Sequence, residues 1–495
     1  MSAEPETVAA PPPPAGPRRG WPALRPLLLR LHFYAGVFVA PFLLVAAFSG
    51  LLYAGSFQAE RIVYAEQLRV PAGEAELPLT EQIAAARAAH PEGELNAVRP
   101  SPESGATTRV LLSGVDGVAA DHTLAVFVDP YTGEVRGALE QYGSTGALPL
   151  RTWIDKFHRD LHLGETGRLY GELAASWLGV IAVAGLVLWF TRRRSARTVR
   201  GTTGRRRVLG VHGTVGAWCA VGLIFLSATG LTWSTYAGQN ITELRTSLGQ
   251  ETPVVDAGAA GGGGEHAEHG QGQGQGQGQG DGGHQHDHGA DGATPGGVNL
   301  DIVLAAARSQ GLTNPVEILP PADAESAYVV RQIQRSWPEK QDAVAVDPAT
   351  GAVTDVVRFA DFPVLAKLSR WGIDLHTGVL FGLPNQILLA ALALSVIVLI
   401  VWGYRMWWLR GRGTAFGRPL PRGAWRQVPP AIGVPLIAVT VLVGWFVPLL
   451  GISLLAFLVL DIALGTLRRH RAGRRATVSA DPGRGPVRAV RGGLR

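Results

Sequence analysis

The sequence predicts an α-helical integral membrane protein: a tandem-repeat four-helix core, a C-terminal helical hairpin, and two small α+β extracytoplasmic units. Three observations carry that expectation: a series of long apolar runs, basic clusters at every second end of those runs, and an internal duplication. Charged residues are only 17% of the 495 positions, well below the usual quarter or so of a soluble chain.

Runs of about 20 apolar residues, enough to cross ~30 Å of hydrocarbon at ~1.5 Å per residue, lie near 33–54, 172–190, 209–234, 386–409, 430–447 and 450–467. The last two are short and read as a tight hairpin. Basic residues stay on the cytoplasmic side of a membrane. Arg18, Arg19, Arg25 and Arg30 precede the first run, and Arg192–Arg194 and Arg205–Arg207 separate the second from the third. Arg410, Arg412 and Arg418 follow the fourth, and Arg468, Arg469 and Arg471 follow the sixth. Six spans with both termini cytoplasmic, in the inner or plasma membrane and surrounded by lipid, satisfy this pattern. The net charge of +6 is then topological and gives no reason to expect nucleic-acid binding. The first run is longer than the apolar core of a signal peptide and is expected to be retained. The single cysteine, Cys219, falls inside the third run, where it packs and forms no internal disulfide.

Self-comparison reveals a repeat. His32, Gly36 and Gly50 recur as His212, Gly216 and Gly230, each offset by 180. Ala84-Ala85-Ala86-Arg87 recurs at 305–308, and Val128-Asp129-Pro130-Tyr131-Thr132-Gly133 recurs at 346–351 as Val-Asp-Pro-Ala-Thr-Gly, offsets of 221 and 218. Leu161-His162-Leu163-Gly164 recurs as Leu375-His376-Thr377-Gly378 at an offset of 214, where the counterpart of His158 is Gly372. The expected organisation is a disordered cytoplasmic N-terminus (1–26), a transmembrane helix (27–54), an extracytoplasmic unit (55–160) and transmembrane helices at 161–194 and 205–234. A second unit (235–370) follows, with a disordered Gly/Gln/His-rich insertion at 256–297, then a helix (371–412), a hairpin (430–467) and a disordered tail (468–495). The insertion has too few apolar residues to make a core. The Asp-Pro-x-Thr-Gly segments are turns, Pro presetting one backbone angle and Gly accepting a positive one.

Four histidines occupy matched positions at span ends: His32 and His212 at the cytoplasmic side, His162 and His376 just outside the external side. Polar side chains at such depths are costly unless partnered, and imidazole is a good axial ligand for haem iron. Two bis-histidine b-type haems are expected, with Gly36 and Gly216 leaving room for a porphyrin. The alternative is that the imidazoles merely face lipid headgroups. His158 lies one helical turn before His162, as an alternative ligand, a residue of the substrate entrance, or a solvated side chain. His266, His269, His284, His286 and His288 in the insertion are candidate metal ligands of copper, nickel or zinc type, or part of an inert linker.

With its repeated His-x3-Gly span, its Leu-His-x-Gly approach and its Asp-Pro-x-Thr-Gly units, the stretch 27–412 resembles the PepSY-associated transmembrane family, which includes iron-regulated membrane proteins and haem-containing reductases of ferric siderophores. The resemblance implies haem b on these histidines, PepSY-like external units, and a ferric siderophore or other metal complex as substrate. On that reading the protein is a membrane di-haem electron-transfer protein, a haem-dependent metalloreductase. No dinucleotide-binding Gly-x-Gly-x-x-Gly loop follows a strand, so electrons are expected from a quinol or a separate reductase. The alternative is a non-enzymatic binding or regulatory protein acting through its external units.

Overall fold

The computed structural model describes residues 21–193, 204–258, 299–323, 325–410 and 428–479. The histidine-rich tract, most of the arginine-rich loops and the last 16 residues lie outside them. The chain divides into two compact units, residues 31–417 and residues 1–30 with 418–495.

In the larger unit the first apolar run is broken: α1 (Trp21–Phe38) gives way at Val39 to α2 (Ala40–Val63), because Pro41 near the start of α2 has no N–H to continue the ladder. A short α3 (Ala65–Leu68) and α4 (Leu79–Ala89) lead into strands β1 (Glu94–Arg99), β2 (Thr108–Ser113), β3 (His122–Val128) and β4 (Val135–Tyr142). An amphipathic α5 (Pro149–Asp160) precedes α6 (Glu165–Arg193). The second repeat follows the same order: α7 (Arg205–Leu231), α8 (Tyr236–Ser247), α9 (Leu300–Ser309), β5 (Val316–Leu319), β6 (Tyr328–Gln332), β7 (Ala343–Val346), β8 (Val353–Val357), α10 (Val364–Thr377) and α11 (Leu383–Arg410). Helices α6 and α7 pack together, and α11 packs on both α2 and α7.

The two α+β segments are not separate units. Their eight strands form one antiparallel sheet in the order β4-β3-β2-β1-β5-β6-β7-β8, joined where Val98 of β1 faces Ile318 of β5. Left alone, each half would end in an open edge strand, and pairing β1 with β5 removes both. Side chains alternate between the faces with the strand period of two. Val98, Val110, Val126, Val330 and Val344 pack with Ile83, Ala86, Val303 and Ala307 of α4 and α9 on one face. Ala97, Leu111, Ala125 and Phe127 occupy the other. The Asp-Pro-x-Thr-Gly segments close the β3–β4 and β7–β8 hairpins: the carboxylates of Asp129 and Asp347 accept the backbone N–H groups of Thr132 and Thr350 (3.3 and 2.7 Å), and Gly133 and Gly351 have φ of 75° and 71°.

The second unit contains α12 (Pro430–Phe446) and α13 (Pro448–Ser479), which pack on each other as a hairpin, with Gly451 backed against the carbonyl of Gly444. Arg30 forms an ion pair with Asp461. Among the described residues five helices are long and apolar enough to cross a membrane: Ala40–Val63, Glu165–Thr191, Arg207–Leu231, Leu383–Leu409 and Pro448–Leu467. The chain is therefore a multi-pass membrane protein with five candidate spans. The sixth expected span, Pro430–Phe446, is a 17-residue helix, about 25 Å long at ~1.5 Å per residue and shorter than the hydrocarbon.

Candidate functional site

His32 on α1 and His212 on α7 are brought together, their ring centroids 6.3 Å apart and their planes 76° to one another. His32 Nδ1–H donates to the Ile181 carbonyl of α6 (3.0 Å). The ring lies so close over Gly185 that a Cβ there would sit 2.9 Å from its Cε1. Gly36 faces open space, and the nearest neighbour of a Cβ on Gly216 would be Leu399 at 3.7 Å.

At the end of the bundle that faces the sheet, His376 shares a cavity with His158, not His162. Helix α5 stops at Asp160, and Leu161 and His162 both adopt left-handed backbone (φ 56° and 54°). His162 N–H is turned back onto the Asp160 carboxylate (2.9 Å), and its exposed ring lies against Trp153 and Phe157. Helix α10 instead runs on through His376 to Thr377, with Gly378 as its left-handed cap. The same Leu-His-x-Gly string thus falls after the helix in one repeat and inside it in the other. The structural equivalence follows the offset of 218 set by the Asp-Pro-x-Thr-Gly turns, which pairs His158 with His376 and corrects the assignment of Gly372 as the counterpart of His158.

The surroundings of these two rings repeat as well. The His158 Nδ1 lies 2.8 Å from Ser49 Oγ and the His376 Nδ1 lies 2.6 Å from Thr229 Oγ1. A Cβ on Gly50 would come 3.2 Å from the Cε1 of His158, and one on Gly230 3.7 Å from that of His376. Tyr53 stacks on His158 and Trp233 meets His376 edge-on. Burial pushes the His158 imidazole down to about 4; burial and then the nearby His158 push His376 down to about 3. Both rings are uncharged at neutral pH, each with one N–H and one free lone pair.

Buried ion pairs place the two helices that carry these rings. Glu60 at the outer end of α2 accepts both Nε–H and Nη2–H of Arg151 (3.1 Å each) and the Leu148 N–H (2.9 Å), which fixes the start of α5. Asp374, one helical turn into α10 from Arg370, pairs with Arg370 and with Arg335 (3.2 and 2.8 Å), and Arg370 also pairs with Glu339. Burial and then Asp374 raise the Glu339 carboxyl to about 7. These acids and bases were not singled out in the sequence, where nothing local marks partners so far apart.

His158 and His376 line a cavity of about 1130 Å³ between the helices and the sheet, larger than the roughly 300–1,000 Å³ of an ordinary ligand pocket. Its helical part is walled by small or apolar residues, among them Ala46, Gly50, Ala174, Leu223 and Gly230; Arg331 of β6, Arg370 of α10 and Arg335 also line it, as do the acids Asp155, Glu165, Glu172 and Glu243.

Residues 29–410 match the PepSY-associated TM region family. The chain belongs to that family. No curated protein matches it. The PepSY-associated region covers both histidine pairs and the whole eight-stranded sheet, and ends at the close of α11.

Two further histidines of this PepSY-associated chain have polar partners among the described residues. His90 pairs with Glu92, and His122 with Glu140 and Lys156. His266, His269, His284, His286 and His288 lie outside the described residues, and among the described residues no cluster of three or more His, Cys, Asp or Glu is arranged to hold a metal ion.

Proposed function

We propose that this protein is a membrane di-haem b electron-transfer protein that reduces an extracytoplasmic metal complex, with a ferric siderophore as the substrate class. The observation that carries the proposal is the gathering of four histidines into two pairs, each pair taking one imidazole from each repeat.

The residues fit the group. Imidazole is a good ligand of haem iron, and the ring centres of His32 and His212, one from each repeat, lie 6.3 Å apart, so the two would hold the inner group between them. The outer pair opens into a cavity whose apolar wall suits a macrocycle. Bound haem supplies a centre that takes up and gives up single electrons.

The chain supplies the rest. His32 and His212 hold the inner group and His158 and His376 the outer one. Glycines at 50 and 230 keep its approach open, and the spans exclude water between the pairs. We assign the metal complex to the volume beneath the sheet, which Arg331, Arg335 and Arg370 line as ion pairs with Glu317, Asp374 and Glu339. Reduction to ferrous iron weakens its hold on hard oxygen ligands. Arginine-rich flanks favour both termini and the inner pair on the cytoplasmic side, and the electron donor is a quinol or a separate reductase.

An optical spectrum of the purified chain with haem quantitation tests this. Two low-spin haems per chain, reducible and reoxidised by an added ferric chelate, are expected. A protein that binds no haem after supplementation sinks the reading and leaves a binding or regulatory role for the sheet.

A further inference from the structure

Both outer imidazoles reach a hydroxyl through Nδ1, and the two hydroxyls are repeat-equivalent, Ser49 and Thr229 being offset by 180. Each hydroxyl also back-bonds to its own helix. Ser49 Oγ lies 2.9 Å from the Val45 carbonyl, and Thr229 Oγ1 lies 2.8 Å from the Phe225 carbonyl.

A hydroxyl has one proton and two lone pairs. If that proton went to the imidazole, the serine or threonine oxygen would face a carbonyl oxygen at 2.8–2.9 Å with no hydrogen between them, two acceptors in repulsive contact. The contact becomes a hydrogen bond only when the hydroxyl donates to the carbonyl. It must then accept from the imidazole, so Nδ1 carries the ring's proton and Nε2 carries the lone pair. The inner His32 reaches the same state through a backbone carbonyl, that of Ile181. On the outer side the acceptor is a side chain, and substitution can remove it.

We propose that Ser49 and Thr229 are positioning residues that lock His158 and His376 as Nδ1–H tautomers, presenting Nε2 as the iron ligand of the outer haem. The inference rests on the haem reading for its purpose, but the tautomer itself is a property of the haem-free chain. Partners that orient a ligating histidine through its second nitrogen fix both the tautomer and the ring plane.

The experiment uses the full chain labelled with ¹⁵N-histidine and prepared without haem, with nitrogen chemical shifts read by solid-state NMR and assigned by single histidine substitutions. His158 and His376 should show a protonated Nδ1 and an unprotonated Nε2. Thr229→Val, which keeps the side-chain shape but not the hydroxyl, should convert His376 to a mixture of tautomers, and Thr229→Ser should restore it. Haem titration of the same variants should show outer-site affinity falling about 10- to 100-fold in Thr229→Val and in Ser49→Ala, and recovering in Thr229→Ser. The inner haem should be unchanged, which also reports that the variants are folded. A protonated Nε2 on either ring of the haem-free wild-type chain overturns the proposal, as does a Thr229→Val protein with wild-type tautomer and outer-site affinity. A wild-type chain that shows the Nδ1–H tautomers and binds no haem overturns the haem reading and leaves the hydroxyl assignment standing.

Discussion

Two imidazoles at the outer side of the bundle differ by four residues in the sequence and by their whole environment in the fold. His158 is buried against Ser49, Gly50 and Tyr53, while His162 is exposed beyond the end of α5. On the proposed di-haem reading, replacing His158 or His376 with Ala should lower haem content from about two per chain to about one, with the outer spectrum lost, whereas His162→Ala should keep both haems. A pyridine haemochrome assay on the three proteins checks this, and full loss in His162→Ala would reverse the assignment. The sequence named all of these residues but matched the wrong pair. The four-letter Leu-His-x-Gly string was the more visible similarity, yet the offset of the neighbouring turns, 218, already joined His158 to His376. What decided the matter was where each helix ends, and that depends on two left-handed residues, Leu161 and His162, with no glycine to announce them.

Among the elements, the seam between β1 and β5 bears the most consequence. Glu317 on β5 accepts from Arg99 Nε of β1 (2.7 Å) and from Arg331 Nε of β6 (2.8 Å), so one buried carboxylate ties the two halves of the sheet. Burial would raise its pKa, but the two guanidinium groups outweigh burial and hold it down to about 2. A folded value below the unfolded one means that the stabilisation is complete above about pH 4.5 and is lost as the pH falls from there toward 2. It amounts to about 3 kcal/mol at neutral pH. Glu317→Gln should be destabilised at neutral pH and should lose this contribution to the acid sensitivity over that window, which urea unfolding of the chain at pH 7 and pH 2.5 measures. Equal pH dependence in both proteins would refute the role of this carboxylate. The strands and their turns were legible as alternating runs closed by Asp-Pro-x-Thr-Gly. The seam was not, because a pairing between residues 220 positions apart leaves no local pattern.

For the whole molecule, the duplication, the apolar runs and the bundle they form were legible because each repeats a strong signal, while the shortness of Pro430–Phe446 and the break at Val39 turn on single prolines and a few residues of length. The proposed orientation puts the sheet outside. In a chain with Cys219 changed to Ala and a cysteine installed at exposed Asp116, in the β2–β3 loop, a membrane-impermeant maleimide should label intact spheroplasts as fully as lysed ones. Labelling only after lysis would invert the topology.

The shared sheet and the crossed histidine pairs together say something about ancestry. Each repeat carries one imidazole of each pair and one half of the sheet, whose inner edge, β1 or β5, is paired only by the other repeat. A chain half this long would hold no complete site, and its exposed edge would seek another copy. The present arrangement is what two such half-length chains would form as a symmetric dimer, later joined through residues 194–204. The two halves are no longer identical: serine faces one ring where threonine faces the other, tyrosine stands opposite tryptophan, and only one half carries the glycine- and histidine-rich insertion.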